Sequence, residues 1–241
     1  MANPLIVCIG GAYSGSGKTS LATELLKNVK GKWAAIKYTK TSFYTSVTDA
    51  ADTANQEGKD STLLLQAGAV AVKWVQSPYS ALDEALRFAM YDFPRVLGII
   101  IEGNSPLDFV RPDLTVFVLG TDVGRFKESA EKFFEKSDIA VVFQTPETYH
   151  KIKQWPEGMK TCTASVYNNG ELDFKKCTGM IIEMLKTKEI QKRLLERVTD
   201  GRVSCALARA LAEELEIPYK ELGAEANRLH VKIKSCDLGC F

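Results

Sequence analysis

Short apolar runs recur along the chain as far as about residue 143, and stretches with helical spacing separate most of them. Runs with few polar positions are typical of parallel strands that are buried on both faces. The predicted strands are 5–9, 33–38, 70–75, 96–101, 114–119 and 138–143. The predicted helices are 20–29, 61–66, 78–91, 125–136 and 177–187. This alternation predicts an α/β fold with a doubly wound, mostly parallel sheet.

The pattern changes at residue 188, where charged and helix-forming residues become dense. Two short helices, 204–215 and 218–229, are predicted to precede a small strand at 231–234. The predicted domains are therefore 1–187 and 188–241, the second a small, mainly helical module that resembles a helix-turn-helix. Its ten Lys and Arg residues nearly balance nine Asp and Glu residues. Because DNA-reading modules are usually more basic, we expect it to dock or act as a lid.

The first strand leads into a loop of small residues, and Gly17-Lys18-Thr19 opens the next helix. This is the spacing of a phosphate-binding P-loop, with Ala12 at the leading position where glycine is commoner. Lys18 would reach the outer phosphates, and the Thr19 hydroxyl would hold Mg²⁺. Backbone N–H groups of the loop would surround the phosphates. The loop residues predicted to make these contacts are Ser14, Gly15, Ser16 and Gly17. The motif predicts binding of a nucleoside triphosphate.

Glu102 follows the apolar strand at 96–101 directly. Ligands of open α/β sheets bind outside the carboxyl ends of the strands. A carboxylate at this point could hold Mg²⁺ together with Thr19, and it could orient the attacking nucleophile. Lys18 and Glu102 are therefore the predicted catalytic residues, and Thr19 and Glu102 the predicted metal ligands. A helix cap or a loop carboxylate is the alternative interpretation of Glu102.

The stretch 39–60 is rich in Thr, Ser and Asp and has little periodicity. A loop of this length inside a compact domain is usually functional, and we expect it to respond to the γ-phosphate. Asp49 and Asp52 within it are candidates for a second Mg²⁺ contact. Solvated loop carboxylates would fit these two positions equally well.

Two further motifs, Gly58-Lys59-Asp60-Ser61 and Ala67-Gly68-Ala69, follow this stretch. With the P-loop, a strand carrying Ile36-Lys37 and a strand ending in Glu102-Gly103, they make residues 4–120 resemble the molybdopterin-guanine dinucleotide biosynthesis protein B (MobB) family.

The resemblance implies a homodimeric GTP-binding accessory protein for the nucleotidyl transferase that attaches GMP to the molybdenum cofactor. It adds Ser20 to the phosphate and metal contacts, and it gives Lys59 and Asp60 roles in the nucleotide site. The chain departs from the family in two places within this region. Residues 38–41 replace a histidine-rich stretch, and Asn104-Ser105-Pro106 replaces an aromatic residue and a lysine. The C-terminal module is also additional to the basic family pattern.

The base is not specified by a motif. A guanine-reading Asn-Lys-x-Asp loop would follow the strand at 138–143, where the chain instead continues Gln144-Thr145-Pro146. The predicted cofactors are therefore Mg²⁺ with GTP or ATP, and the predicted activity is slow hydrolysis.

One alternative function is that of a small-molecule kinase with Asp60 or Glu102 as general base. Another is a nucleotide-controlled regulator that acts through the C-terminal module.

Composition adds the expectation of a cytoplasmic protein. A net charge of +1 gives no electrostatic reason for binding a membrane surface or nucleic acid. No apolar run approaches the roughly 20 residues of a membrane span, and scattered cysteines are typical of a reducing compartment.

The individual cysteines differ in their surroundings, and Cys8 lies in a predicted core strand. Cys205, Cys236 and Cys240, with His230, leave open a soft-metal site or simply a packed tail.

Overall fold

The structure is a computed structural model that describes residues 3–53, 60–144, 148–149, 152 and 154–234. These residues form two compact units. The sheet unit consists of Pro4–Ile182, and the C-terminal unit consists of residue 3 with residues 183–234.

In the part of the chain that is described, the sheet unit contains one sheet of eight strands. The strands are β1 (Leu5–Gly11), β2 (Trp33–Lys40), β3 (Ser46–Asp49), β4 (Ala71–Ser77), β5 (Gly98–Glu102), β6 (Leu114–Gly120), β7 (Ile139–Val142) and β8 (Lys160–Thr163). Their order is β3-β4-β2-β5-β1-β6-β7-β8. Only the β3–β4 pair in this order is antiparallel. A hairpin of β9 (Ser165–Val166) and β10 (Leu172–Asp173) forms separately. The doubly wound, mostly parallel sheet is confirmed.

The helices of the sheet unit pack apolar faces against this sheet. They are α1 (Lys18–Asn28), α2 (Asp60–Gln66), α3 (Leu82–Tyr91), α4 (Glu128–Glu135) and the first part of α5 (Lys175–Leu195). In α3, the residues that are buried recur at helical spacing: Leu82, Ala85, Leu86 and Ala89. No helix in the described part of the chain is long and apolar enough to cross a membrane.

Several details differ from the sequence-based expectations, among them strands β8, β9 and β10, where the sequence predicts no strand. The prediction of a loop throughout residues 39–60 is wrong for β3, which pairs with β4 at the edge of the sheet. All four residues of β3 are half-buried and Val47 is its only apolar residue, so the strand has no apolar run. Helix α5 runs from Lys175 to Leu195 and is longer than the predicted helix 177–187; the division between the two units, after Ile182, also lies within it.

The C-terminal unit has its own apolar core. After α5 it contains β11 (Arg202–Ser204), α6 (Cys205–Glu214), α7 (Tyr219–Arg228) and β12 (Lys232–Lys234). The Ser204 hydroxyl caps α6 by accepting a hydrogen bond from the backbone N–H of Leu207, and β11 pairs with β12 in parallel. Leu211, Leu222 and Val231 are among the side chains that fill the core. The mainly helical character predicted for this module is confirmed.

Gly98, at the start of β5, packs closely against the ring of Trp33. A methyl group there would overlap the Trp33 ring, with the ring atom Cε3 only 2.6 Å from the added carbon. We expect Gly98→Ala to lower the free energy of unfolding by about 1–3 kcal/mol, because tightly packed cores do not absorb added volume. Urea unfolding would measure this change.

The matched control is Gly179→Ala in α5, where an added methyl group meets no atom within 4 Å. Alanine is favoured over glycine inside a helix by roughly 0.5–1 kcal/mol, so this variant should be slightly more stable than the wild type. Equal effects of the two substitutions would contradict the packing described for Gly98.

Candidate functional site

The loop at residues 12–17 connects β1 to α1 and depends on two glycines with positive φ. Gly15 has φ of 87° and Gly17 has φ of 101°, a region that other L-residues rarely adopt. Gly17 also lies against Leu172, because a Cβ at Gly17 would be 2.8 Å from the Leu172 Cδ1 atom. The two glycines therefore allow the tight path of the P-loop that the sequence predicts.

The Lys18 side chain folds back across this loop. Its Nζ donates a hydrogen bond of 2.9 Å to the Tyr13 carbonyl oxygen and lies 3.5 Å from the Ser16 hydroxyl. Burial lowers the pKa of Lys18 below its ordinary value, while the negative charge of Glu102 acts in the opposite direction. The partly desolvated ammonium group is well placed to pair with an anion above the loop.

The end of β1 and the start of the P-loop are anchored to three neighbouring segments through their backbone groups. The Ala12 N–H donates to the Val118 carbonyl oxygen, and the Ala12 carbonyl oxygen accepts from the Lys127 N–H, both at 3.0 Å. The Asn104 amide accepts from the Gly11 N–H at 2.9 Å and donates to the Gly11 carbonyl oxygen at 3.1 Å. These contacts hold the start of the loop rigidly before any ligand arrives.

A cluster of Thr19, Lys37, Asp60 and Glu102 lies beside the P-loop. Glu102 is at the end of β5 and is opposite Lys37 of β2 in the strand register. The Thr19 hydroxyl lies 3.0 and 2.9 Å from the two carboxylate oxygens of Glu102. The Lys37 ammonium forms ion pairs with both carboxylates, at 2.7 Å in the case of Asp60. The Glu102 side chain is almost fully buried, with 2 % exposed.

A cavity of about 640 Å³ opens above the P-loop and this cluster. Its volume is within the range of roughly 300–1,000 Å³ typical of small-molecule sites. The charged side chains that line it are the lysines Lys18, Lys37, Lys40 and Lys127 and the acids Asp60 and Glu102. Because lysines outnumber carboxylates by four to two among the described residues that line it, the cavity favours an anionic ligand.

Most of the residues predicted for the site meet at this cavity. Those that line it are Ser14, Gly15, Gly17, Lys18, Thr19, Ser20, Asp60 and Glu102. Ser16 is buried beneath the loop, with 1 % of its surface exposed. Lys59 and the Asp52 side chain lie outside the described residues. Asp49 pairs with Lys73, at 2.9 Å, and does not line the cavity.

Among the residues that the fold brings to the site and the sequence did not predict, three make direct contacts with its central groups. Lys37, Asn104 and Lys127 contact the cluster or the P-loop from different parts of the chain. A lysine within an otherwise apolar strand, WAAIKY, was the available signal for Lys37. Asn104 and Lys127 carry no comparable sequence signal, because their hydrogen bonds go to the backbone of Gly11 and Ala12, which are distant in the chain.

The cysteines that are described show no metal site. Cys8 is buried in β1, and burial raises the pKa of its thiol to about 12, so Cys8 has the inert core character predicted for it. Cys205 is the half-buried first residue of α6, while Cys236 and Cys240 lie outside the described residues. Among the residues described, no group of three or more His, Cys, Asp or Glu side chains could hold a metal ion.

Comparison with known proteins gives little beyond this geometry. Neither a protein-family model nor a curated protein sequence matches the chain. A solved structure to which the chain is similar is the "apo" form of LpxK from Aquifex aeolicus in complex with ATP, which is 15% identical in sequence. The similarity covers 99% of this chain and 74% of that chain, with a TM-score of 0.42.

Proposed function

We propose that the chain binds a nucleoside triphosphate with Mg²⁺ in this cavity and slowly transfers the terminal phosphoryl group to water. The observation that carries the proposal is the contact between the Thr19 hydroxyl and the Glu102 carboxylate, at 2.9–3.0 Å, directly beside the P-loop lysine. A hydroxyl at the start of the helix and a carboxylate at the end of a neighbouring strand are the groups that hold Mg²⁺ in P-loop proteins.

The local chemistry fits a divalent cation. A positive charge, the Lys37 ammonium, already lies against Thr19 Oγ1 and both carboxylates. Mg²⁺ prefers hard oxygen ligands and is usually bound by one or two carboxylates together with substrate phosphates. Thr19 and Glu102 would hold the ion directly. When bound, Mg²⁺ would neutralise charge that develops on the phosphate oxygens.

The remaining steps fall to the chain's own groups. The backbone N–H groups of the P-loop bind phosphate oxygens, and Lys18 pairs with the outer phosphates. Asn104 holds Gly11 and so keeps the loop in one conformation. The Glu102 carboxylate also orients the attacking water. Catalysis of this kind depends on positioning and on electrostatic stabilisation of the transferred group.

The biological role is proposed from the sequence resemblance alone. On that basis the chain is a GTP-binding accessory protein in molybdenum cofactor biosynthesis, acting as a homodimer with a nucleotidyl transferase. The same resemblance gives Lys59 and Asp60 their place in the nucleotide site. This proposed role in molybdenum cofactor biosynthesis requires that the chain binds GTP in preference to ATP.

A second candidate function, phosphoryl transfer to a small-molecule acceptor, is favoured by the extent of the cavity. Tyr38, Thr39 and Lys40, at the end of β2, line it in addition to the P-loop. This lining leaves polar and cationic groups available for an anionic acceptor. A kinase would release little phosphate without that acceptor, whereas a hydrolase would release phosphate in buffer alone.

Calorimetry with non-hydrolysable GTP and ATP analogues, each with and without Mg²⁺, tests the proposed function. We expect one nucleotide to bind per chain, and to bind more tightly when Mg²⁺ is present, because Thr19 and Glu102 contribute only through the metal. Release of inorganic phosphate without an acceptor would then favour the hydrolase. A preference for ATP would remove the support for the molybdenum cofactor role, and no binding of either analogue would contradict nucleotide binding itself.

A further inference from the structure

The Lys37 ammonium lies among oxygen atoms of three other side chains and is mostly shielded from solvent. It contacts the Thr19 hydroxyl at 3.3 Å, Asp60 at 2.7 Å and the Glu102 carboxylate. Only 16 % of the Lys37 side chain is exposed, and Asp60 is about half exposed, at 49 %. A hydroxyl and two carboxylates therefore surround one cation.

The orientation of the Thr19 hydroxyl shows what kind of position this is. Thr19 donates its proton to Glu102 and accepts a hydrogen bond from Lys37. One of the two lone pairs of the Thr19 oxygen is thus directed at the ammonium. The Lys37 ammonium therefore contacts both of the groups that would bind Mg²⁺.

We propose, resting on the function proposed above, that Lys37 is a built-in counter-ion that blocks the metal position until the nucleotide arrives. A divalent cation alone must displace an ammonium from two carboxylates and gains few protein ligands in return, since no cluster of three or more metal-binding side chains is found among the described residues. With a nucleotide present, the phosphates give the metal further oxygen ligands and give the released ammonium a new anionic partner.

The consequence is strong coupling between the metal and the nucleotide. Each must raise the affinity of the other by the same factor, because coupling free energies are reciprocal. In the absence of nucleotide the buried carboxylate of Glu102 stays neutralised by Lys37 rather than by an ion from solution. The effect of Lys37 is therefore on the binding of the metal ion.

Titration with Mn²⁺ followed by electron paramagnetic resonance, without nucleotide, tests this proposal. Wild type should bind Mn²⁺ weakly, and Lys37→Met should bind it at least 10-fold more tightly, because the competing cation is gone. Lys37→Arg should behave as wild type, since the guanidinium keeps the charge.

The matched control is Lys40→Met, three residues further along the chain. Lys40 lines the same cavity but is exposed at the end of β2. Removing the Lys40 charge should leave the affinity for Mn²⁺ alone within about 3-fold of wild type. Lys40 is exposed, so solvent screens its charge far more than that of the mostly buried Lys37. A gain equal to that of Lys37→Met would overturn the proposal in favour of a general effect of net charge.

Thermal unfolding adds a measurement that does not need the variant to be as stable as wild type. Mn²⁺ should raise the melting temperature of Lys37→Met, because the ion replaces the missing ammonium, and should leave that of wild type unchanged. Wild type that binds Mn²⁺ equally well with and without a nucleotide analogue would overturn the blocked site. Wild type that binds no nucleotide under any condition would instead refute the proposed function, so the two failures are distinguishable.

Discussion

Replacing Lys18 by methionine should weaken binding of a triphosphate analogue at least ~100-fold and lower kcat/KM for hydrolysis by roughly 100- to 1,000-fold. Methionine keeps the unbranched shape of the side chain, one atom shorter, and removes the ammonium charge with its hydrogen-bond donors. Two unit charges about 4 Å apart near a protein surface attract by about 4 kcal/mol, and each 1.4 kcal/mol is a factor of ten. The lysine is partly buried over the loop, at 2.9 Å from the Tyr13 carbonyl oxygen, so solvent screens this attraction little.

The control for Lys18 is Lys27→Met in the same helix. Lys27 lies in the last turn of α1, is exposed and does not line the cavity above the P-loop. Calorimetry and phosphate release should show Lys27→Met within about 2-fold of wild type. Lys18→Met with unchanged nucleotide affinity and an intact fold by circular dichroism would show that the loop does not bind phosphate.

The contiguous parts of the site could be predicted because their chemistry is local. The P-loop is a single run of residues in which glycines, lysine and threonine have fixed spacing, and Glu102 directly ends an apolar strand. Apolar strands buried on both faces are also a strong local signal. Ser14 and Thr19 therefore lie at the same cavity, as expected from their positions in the motif.

The rest of the site depends on register between distant strands, which a sequence pattern does not specify. Lys37 and Glu102 are 65 positions apart and meet because β2 and β5 are neighbours in the sheet. Nothing in the order of the strands along the chain requires β5 to lie between β1 and β2. The β3 strand was missed for a different reason, because its polar residues suit an edge position and give no periodic signal. Asp49 was considered as a second Mg²⁺ contact because it was placed in a loop. Pairing in β3 instead directs its side chain to Lys73.

Glu102→Gln is expected to lower kcat for hydrolysis roughly 100-fold and to raise the Mg²⁺ concentration needed for half-maximal activity at least ~10-fold. The amide oxygen can still accept the hydrogen bond from Thr19, so the shape of the site is kept. What is lost is the only carboxylate charge that contacts this hydroxyl among the described residues. Phosphate release measured across a series of Mg²⁺ concentrations would give both values.

The outcome separates a metal-binding role of Glu102 from a structural one. A residue that only neutralises Lys37 would, when changed to glutamine, reduce stability and leave the Mg²⁺ dependence as in wild type. A metal ligand must shift that dependence, because the ion then loses one negative partner while the nucleotide contacts through Lys18 remain. Glu135→Gln, at the exposed end of α4, is the matched control and should change neither value. An unshifted Mg²⁺ dependence for Glu102→Gln would remove Glu102 from the metal site and leave Thr19 without its carboxylate partner in the mechanism.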